Sequence, residues 1–302
     1  MTEKQNDSYG AEKNLFSIAT PRTTVVGSIQ NRSTQLQRLA LAPSQLQDRQ
    51  ISLTPPQQHY LSRVLRLETG DRFIAMNGQG QWWLAKLQGE QAEILEPISV
   101  QTELPVAVTL MVALPKGNGF DDVVRQVTEL GVTCIIPTIS DRTLLKPSPQ
   151  KLERWRRIAT EAAEQSERQI VPTILDPISY NTALAFCQES NSAVEENSSD
   201  PSSQYICVAR GDYPHLLDCL IPTPHSALST KAEALPTPHS ALTIAIGPEG
   251  GWTDAEIEKA CAASFQPVSL GRRILTAVLA PIVALSLVAG TSERGTIMKK
   301  EG

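Results

Sequence analysis

The chain has 302 residues, of which 41% are hydrophobic and 20% are charged, and its net charge is -5. A chain of this size and composition can bury a large core, which excludes the collagen-like and low-complexity classes. The acidic balance excludes a generally cationic nucleic-acid coat, although it is compatible with a local basic patch.

Residues 1–35 have neither the layout of a signal peptide nor the acid-free composition of an organellar presequence, so we predict that they form a disordered polar extension. The five cysteines are scattered and have no C-x-x-C spacing. This pattern argues against a disulfide framework and against a metal site, and it is typical of a cytoplasmic protein.

Residues 36–103 are rich in short segments of β type. Apolar runs such as Arg72–Met76 and Trp82–Leu87 are separated by turn signals at Glu68–Asp71 and Asn77–Gly80. Short strands at this regular spacing predict a small β-barrel domain.

From residue 104 to residue 302 the pattern changes to alternating strands and helices. A continuous apolar run at Val106–Leu114 predicts a buried strand, and apolar residues at helical spacing follow it as far as Gly131. We predict further strands at Val132–Ile136, Tyr205–Ala209, Thr243–Ile246 and Pro267–Leu270, and a helix at Lys151–Ser166. This alternation predicts an α/β domain with a mostly parallel sheet.

Two segments interrupt the alternation. Residues 192–204 are rich in serine, glutamate and asparagine, and residues 222–242 contain the sequence P-T-P-H-S-A-L twice. We predict that both are loop insertions, since two copies of so short a period do not make a repeat fold.

One segment is long and apolar enough to be tested as a membrane span. Ile274–Ser292 carries no charge, but Pro281 suits the first turn of a helix better than its middle. A helix that begins there is too short to cross a bilayer. A buried C-terminal helix is therefore favoured over a membrane span.

Two glycine turns are the candidate ligand loops. Ile246–Trp252 reads I-G-P-E-G-G-W and lies between a buried strand and a helix that Thr253 and Glu256 would cap, while Ser269–Leu275 is the second turn. Ligands of open α/β sheets bind just past the ends of the strands, where glycine lets the backbone approach them. The two turns could enclose an aromatic base and a ribose, with Lys116 in the same crevice. The alternative is a pair of tight turns without a ligand.

The motifs of several common enzyme classes are absent from the sequence. There is no G-x-G-x-x-G, no Walker loop, no H-E-x-x-H and no G-x-S-x-G. The ordinary dinucleotide-binding, nucleoside-triphosphatase, zinc-protease and hydrolase classes therefore lack their central residues.

The stretch Arg142–Arg157 is strongly basic within an acidic chain. It holds six basic residues and one acidic residue, and Arg142, Arg154 and Arg157 are the candidate phosphate contacts. Such a cluster is typical of an RNA-binding surface, and the alternative is a solvated helix face.

Together these residues resemble a known family, the small-subunit ribosomal RNA uracil-N3-methyltransferases of the SPOUT class. The resemblance runs from about Leu36 to the end of the chain and depends on the ordered combination of several motifs. They are Lys116–Asp122, Thr128–Val132, Ala162–Ser166, Ile246–Gly251 and Leu270–Leu275.

The resemblance implies a PUA-like β-barrel followed by a SPOUT α/β trefoil-knot domain. It implies that Leu61–Leu67 is the barrel's signature, with Arg38, Arg63 and Arg66 as RNA contacts. It also implies S-adenosylmethionine as cofactor, 16S rRNA in the small ribosomal subunit as partner, and a homodimer with no membrane association. Three loops would hold the cofactor, through Leu114, Pro115, Gly247, Pro248, Glu249, Gly250, Leu270, Gly271, Ile274 and Leu275.

The implied reaction makes Arg273 and Glu249 the candidate catalytic residues. N3 of uracil must lose its proton, and a cation such as Arg273 could stabilise the resulting anion or position a phosphate. Glu249 could instead orient its loop, so the general base stays unassigned.

The chain departs from the family's pattern at Thr276, Val278 and Leu279. This departure leaves two alternatives to N3 methylation, namely another SPOUT specificity such as ribose 2′-O-methylation, and an RNA-binding homologue without turnover.

Overall fold

The computed structural model describes residues 36–197, 203–221 and 241–297, without the side chains of residues 191–197 and 294–297. From residue 37 onward these ranges belong to one compact unit. The predicted extension at residues 1–35 and most of the predicted insertion at residues 222–242 lie outside the described residues.

The N-terminal part is a six-stranded sheet in the order β1-β4-β5-β6-β3-β2. Its strands are β1 Arg38–Ala40, β2 Leu46–Gln47, β3 Gln50–Ser52, β4 Arg72–Met76, β5 Trp82–Gln88 and β6 Gln91–Ile98. β1 and β4 are parallel, while the other neighbours are antiparallel. The predicted strands at Arg72–Met76 and Trp82–Leu87 are confirmed as β4 and β5. Phe73, Ile51 and Leu61 are at the centre of its core.

A short helix, α1 (Pro55–His59), follows β3 and was not predicted from the sequence. Thr54 caps it in a reciprocal capping box with Gln57. The helix continues directly into a π-helical turn at Tyr60–Val64, in which Leu61 is buried. Arg66 follows in the left-handed region, with φ 57°.

The C-terminal part is a parallel sheet of seven strands in the order β10-β8-β7-β12-β11-β13, with β9 beside β8. The strands are β7 Ala107–Ala113, β8 Cys134–Ile139, β9 Thr173–Ile174, β10 Ile178–Ser179, β11 Ser203–Cys207, β12 Ala241–Ile246 and β13 Gln266–Val268. The helices are α2 Gly119–Glu129, α3 Pro149–Gln165, α4 Tyr180–Asn197, α5 Leu216–Leu220, α6 Asp254–Ala262 and α7 Leu279–Ile297. The predicted alternation of strands and helices is therefore confirmed.

The central strands β7 and β12 are nearly continuous runs of fully buried residues, because helices cover both faces of the sheet. One core cluster joins α2, α3 and α7, while the other lies under α4 and α6. Trp155, which the sequence places on the apolar face of α3, is 1% exposed and packs edge-on against Phe120.

The C-terminal helix α7 begins at Leu279, so Pro281 lies in its first turn, where a missing N–H leaves no hydrogen bond unmade. Across the part of the chain that the structure describes, no helix has the length and apolarity needed to cross a membrane.

The segment at residues 192–204 differs from the predicted loop. α4 extends to Asn197 and β11 begins at Ser203, so both ends of the segment are regular structure. Ala183, Leu184 and Cys187 anchor the first half of α4 in the core, and the glutamates and alanine that follow are compatible with continuing the helix.

A buried ion pair ties the linker between the two sheets to the α/β domain. The Arg168 side chain is 3% exposed and pairs with Glu103, whose side chain is 19% exposed. The same guanidinium donates to the backbone oxygens of Thr128 at 3.0 Å and Val132 at 2.7 Å. All three nitrogen atoms of the Arg168 guanidinium therefore donate hydrogen bonds, as a buried charge requires.

We expect Arg168→Met to lower the free energy of unfolding by about 3–5 kcal/mol, because it leaves the Glu103 carboxylate without its cation. Urea unfolding measures this loss. The matched control is Arg157→Met, which removes an arginine that is 68% exposed and lies 3.7 Å from Glu161. That variant should lose less than about 1 kcal/mol, and equal losses would contradict the role assigned to the buried pair.

Candidate functional site

A cleft opens where β11, β12 and β13 end at the same edge of the sheet. Three chain segments line it, at residues 207–209, 246–252 and 270–280. The space between them is open to the solvent on one side. The cleft is thus at the place where open α/β sheets bind their ligands.

The walls of the cleft are mainly apolar side chains and backbone. Pro248, Trp252, Leu275 and Ala277 line it, with Cys207 at the end of β11. Burial raises the pKa of the Cys207 thiol to about 12. The thiol is therefore neutral at physiological pH, and Cys207 serves as a wall of the cleft and not as a nucleophile.

The loop between β12 and α6 needs glycine at two positions. A Cβ at Gly247 would lie 3.3 Å from the Trp252 ring, and Gly251 has a φ of 69°. Both positions let the backbone fold tightly over Trp252 and form one side of the cleft.

Two side chains from other segments hold this loop from opposite sides. Glu249 Oε1 accepts a hydrogen bond of 2.8 Å from the Lys116 amide. Arg142 Nη1 donates to the Gly250 oxygen at 2.6 Å and approaches the Trp252 oxygen at 3.4 Å. These hydrogen bonds hold the loop in one position.

The α6 side of the loop is fixed by a buried carboxylate. Glu256 is 2% exposed, completes the predicted capping box with Thr253, and accepts a hydrogen bond of 2.9 Å from the Asp141 amide. The Tyr180 hydroxyl donates to the Glu256 backbone oxygen at 2.6 Å. Burial raises the pKa of Tyr180, so this hydroxyl keeps its proton.

The structure brings together only part of the predicted cofactor site. Gly247, Pro248, Leu270, Gly271 and Leu275 line the cleft. The predicted residues Glu249, Gly250 and Ile274 are adjacent to it in the chain but do not line it. A Cβ at Gly250 would meet the Arg142 side chain at 3.0 Å, so this glycine makes room for the arginine.

The third wall of the cleft differs from the prediction. Leu114 and Pro115, at the end of β7, are buried and do not line the cleft. Cys207, Val208 and Ala209 form this wall instead. They have no glycine motif and were predicted as the last residues of the strand Tyr205–Ala209, whereas the observed strand β11 ends at Cys207. The rule that ligands bind at strand ends would have pointed to them.

Arg273 projects from the third segment and lines the cleft. It is exposed, and no residue within the described ranges forms a hydrogen bond or ion pair with its guanidinium. Its Nη2 and the His215 Nε2 both lie beside Gly271. Arg273 is therefore a cation available to a bound group.

The three positions that depart from the family's pattern have local structural roles or face solvent. Thr276 Oγ1 accepts a hydrogen bond of 3.2 Å from the Leu279 amide at the start of α7. Val278 packs against Gly119 at the start of α2, and Leu279 is 44% exposed. None of the three lines the cleft.

Of the predicted RNA contacts in the barrel, Arg63 and Arg66 are exposed on the π-helical turn and beyond it. Arg38 is different, since its side chain is 9% exposed and pairs with Glu167 at 2.8 Å. Its guanidinium carbon also lies 5.2 Å from the centre of the Trp82 ring. This packing leaves little of the Arg38 side chain for a phosphate, and the predicted RNA contact at Arg38 stays a prediction.

Most of the basic stretch is engaged within the protein. Arg154 pairs with Asp121 at 2.7 Å, and Arg156 pairs with Asp176 at 3.0 Å. Lys151 Nζ donates to the Gly117 oxygen at 3.0 Å. Arg154 and Arg157 keep 55% and 68% of their side chains exposed. Lys116 is exposed beside the loop Gly247–Trp252.

Among the residues that the structure describes, no group of His, Cys, Asp and Glu could hold a metal ion.

Two family models match the chain. One, described as an RNA methyltransferase domain, matches residues 102–289. The other, described as an RNA methyltransferase PUA domain, matches residues 53–96.

Named relatives are similar over most of the chain. The ribosomal RNA small subunit methyltransferase E of Synechocystis sp. is 46% identical over 254 residues, which are 83% of this chain and 76% of that protein. The protein of the same name from Bacillus subtilis is 31% identical, over 80% of this chain and 90% of its own length.

A solved structure has the same fold. The ribosomal RNA small subunit methyltransferase E of Neisseria gonorrhoeae, bound to S-adenosyl methionine, aligns with a TM-score of 0.64 and 29% identity. The alignment covers 83% of this chain and 95% of that one. These matches confirm the predicted fold class, a SPOUT (trefoil-knot) α/β domain preceded by a small PUA-like β-barrel.

Proposed function

The chain belongs to the ribosomal RNA small subunit methyltransferase E family, and we propose that it methylates N3 of a uridine in 16S rRNA with S-adenosylmethionine as methyl donor. The observation that carries this proposal is the cleft at the ends of β11, β12 and β13, beside the loop that Glu249 and Arg142 hold in place. Arg273 lines this cleft, and none of the described residues binds its guanidinium. The solved family member that binds S-adenosyl methionine supports the choice of donor.

The residues of the cleft fit this donor. Pro248, Leu275 and Ala277 offer apolar contacts to a flat base. The turn at Gly247 and Gly251 brings the backbone close enough for its polar groups to contact a ribose or an amino-acid moiety. S-adenosylmethionine supplies, when bound, a methyl group on a positively charged sulfur.

The protein's contribution to the reaction is alignment and electrostatics. Holding the acceptor in line with the methyl carbon supplies a large part of the rate. Arg273 stabilises the negative charge that develops on the uracil carbonyl oxygens when N3 loses its proton. Glu249 is engaged by the Lys116 amide, so it holds the loop in place and is not assigned the proton.

The acceptor atom also constrains the substrate. N3 lies on the Watson–Crick edge, so the uridine must be unpaired or extruded before it reaches the cleft. The small ribosomal subunit is the proposed partner, in agreement with the names of the relatives. The cytoplasm is the proposed compartment. The domain boundary between residues 103 and 104 is likewise a proposal.

A methyl-transfer assay tests this function. Small subunits that lack the modification are incubated with labelled S-adenosylmethionine, and the product nucleoside is identified by mass spectrometry as N3-methyluridine. We expect Arg273→Ala to lower kcat by about 100-fold, because it removes the charge that stabilises the anion. Its affinity for the donor should be unchanged in calorimetry.

The matched control is Arg272→Ala, which removes a neighbouring exposed arginine that does not line the cleft, and it should transfer at the wild-type rate. A labelled ribose would instead support 2′-O-methylation. Donor binding without transfer would support an RNA-binding homologue.

The role of Arg142 can be separated from RNA binding. We expect Arg142→Gln to weaken donor affinity by about tenfold or more, because a charge-assisted hydrogen bond to the Gly250 oxygen is lost. Affinity for RNA and its dependence on salt should not change.

The control for this change is Lys146→Gln, which removes an exposed charge from the same basic stretch and should leave donor affinity intact. A flatter salt dependence of RNA binding in Arg142→Gln would show instead that Arg142 contacts RNA phosphates.

The proposed homodimer is supported by apolar surface beside the cleft. Ile274 is 62% exposed and lies between two residues that line the cleft, and Leu279 is 44% exposed and precedes Ala280, which lines it. We expect the wild-type protein to sediment as a dimer and Ile274→Asp to sediment as a monomer, because a charge in an apolar interface is costly. Val64→Asp, at a residue of the barrel that is 59% exposed, is the control and should stay dimeric. A monomeric wild-type protein would contradict the proposal.

A further inference from the structure

The segment Glu167–Val171, called the strap below, lies against the barrel turn at residues 78–80. The Gly80 amide donates to the Gln169 oxygen at 3.0 Å, and the Val171 amide donates to the Gly78 oxygen at 3.0 Å. Gln169 Nε2 adds a third bond, to the Gly80 oxygen at 3.1 Å. The strap thus extends the barrel turn as a short antiparallel pairing.

The other side of the strap is held by Glu103 of the linker between the two sheets. Glu103 Oε1 accepts hydrogen bonds from the amides of Gln169 at 2.8 Å and Ile170 at 3.0 Å. Its other oxygen pairs with the buried Arg168. Glu167 has a φ of 62°, which a residue with a side chain keeps only where its surroundings define it.

The helix that precedes the strap reaches back to the segment that binds the loop Gly247–Trp252. α3 has 17 residues and is therefore about 25 Å long. Near its first turn Lys151 contacts the Gly117 oxygen, one residue from the Lys116 amide that binds Glu249. Near its last turn Glu164 Oε1 accepts a hydrogen bond of 2.6 Å from the Ala40 amide of β1. One rigid helix therefore connects the barrel with the segment that binds the loop Gly247–Trp252.

We propose that the strap is a positioning element that sets the distance between the barrel and the cleft. This proposal rests on the proposed function, because the distance matters only for an RNA that contacts both parts at once. Arg63 and Arg66 would hold RNA on the barrel while the target uridine enters the cleft. A shift of about 1 Å at the cleft can lower the rate by about 100-fold. A changed distance also weakens binding of an RNA that uses both parts.

A larger side chain at Gly78, in the barrel turn, tests the proposal. A Cβ at Gly78 would lie 3.0 Å from Val171 Cγ2, so Gly78→Leu pushes the turn away from the strap. The matched control is Gly89→Leu, which has nearly the same backbone strain, with φ 66° against 68°, but no atom within 4 Å of its Cβ. Comparing the two variants separates displacement of the strap from the cost of a side chain at positive φ.

We expect Gly78→Leu to lower kcat/KM for small subunits by about 10- to 100-fold relative to Gly89→Leu, with equal donor affinity in the two variants. Hydrogen exchange at the Gly80 and Val171 amides should be faster in Gly78→Leu alone. If Gly78→Leu does not fold, Gln169→Ala loosens the same pairing without entering a core, and its expected loss is smaller but in the same direction.

Equal kcat/KM in the two glycine variants would overturn the proposal, and so would a loss of donor affinity in Gly78→Leu. If the wild-type protein transfers no methyl group, the proposed function fails instead. The role of the strap is then tested by measuring the affinity of the two variants for RNA, which should be lower for Gly78→Leu than for Gly89→Leu.

Discussion

Hydrogen bonds from two distant segments hold the loop Gly247–Trp252 over the end of β12. The Arg142 guanidinium binds its carbonyl oxygens and the Lys116 amide binds its Glu249 carboxylate. Without these contacts, a loop with glycine at three of six positions would have many conformations of similar energy. The remaining features of the site depend on this constraint, because the loop is one wall of the cleft and Arg273 faces the cleft from the next segment.

The basic residues of this protein divide into structural and available cations. Arg38 and Arg168 are buried against carboxylates, and the Arg142 guanidinium donates hydrogen bonds to carbonyl oxygens. Arg273, Arg63 and Arg66 are exposed. A buried guanidinium must find several acceptors to offset its desolvation, whereas an exposed one keeps its hydration until a phosphate or an anionic base displaces the water. Position in the fold therefore decides which arginines can act on RNA.

The two sheets act together through a few polar contacts at one end of α3. Glu103, Arg168 and the strap join the linker, the turn after α2 and the barrel into one network. These contacts are directional, so they define an orientation more sharply than apolar packing of the same area would. A methyltransferase that must bring one uridine of a large RNA to its cleft gains accuracy from such a fixed orientation.

The sequence by itself determined the alternation of strands and helices, the two glycine turns and the choice of Arg273 as the candidate cation. Local rules produce these features, namely apolar periodicity, capping at Thr253 and the need for glycine where the backbone turns sharply. It also determined the family, through motifs such as Ile246–Gly251. Only the tertiary structure decided which residues line the third wall of the cleft and which arginines are buried. Cys207–Ala209 line the cleft where Leu114 and Pro115 were predicted, because the order of strands in a sheet depends on contacts between residues far apart in the chain. The partners of Arg38, Arg142 and Arg168 are 129, 108 and 65 residues away, and no local pattern in the sequence carries that information.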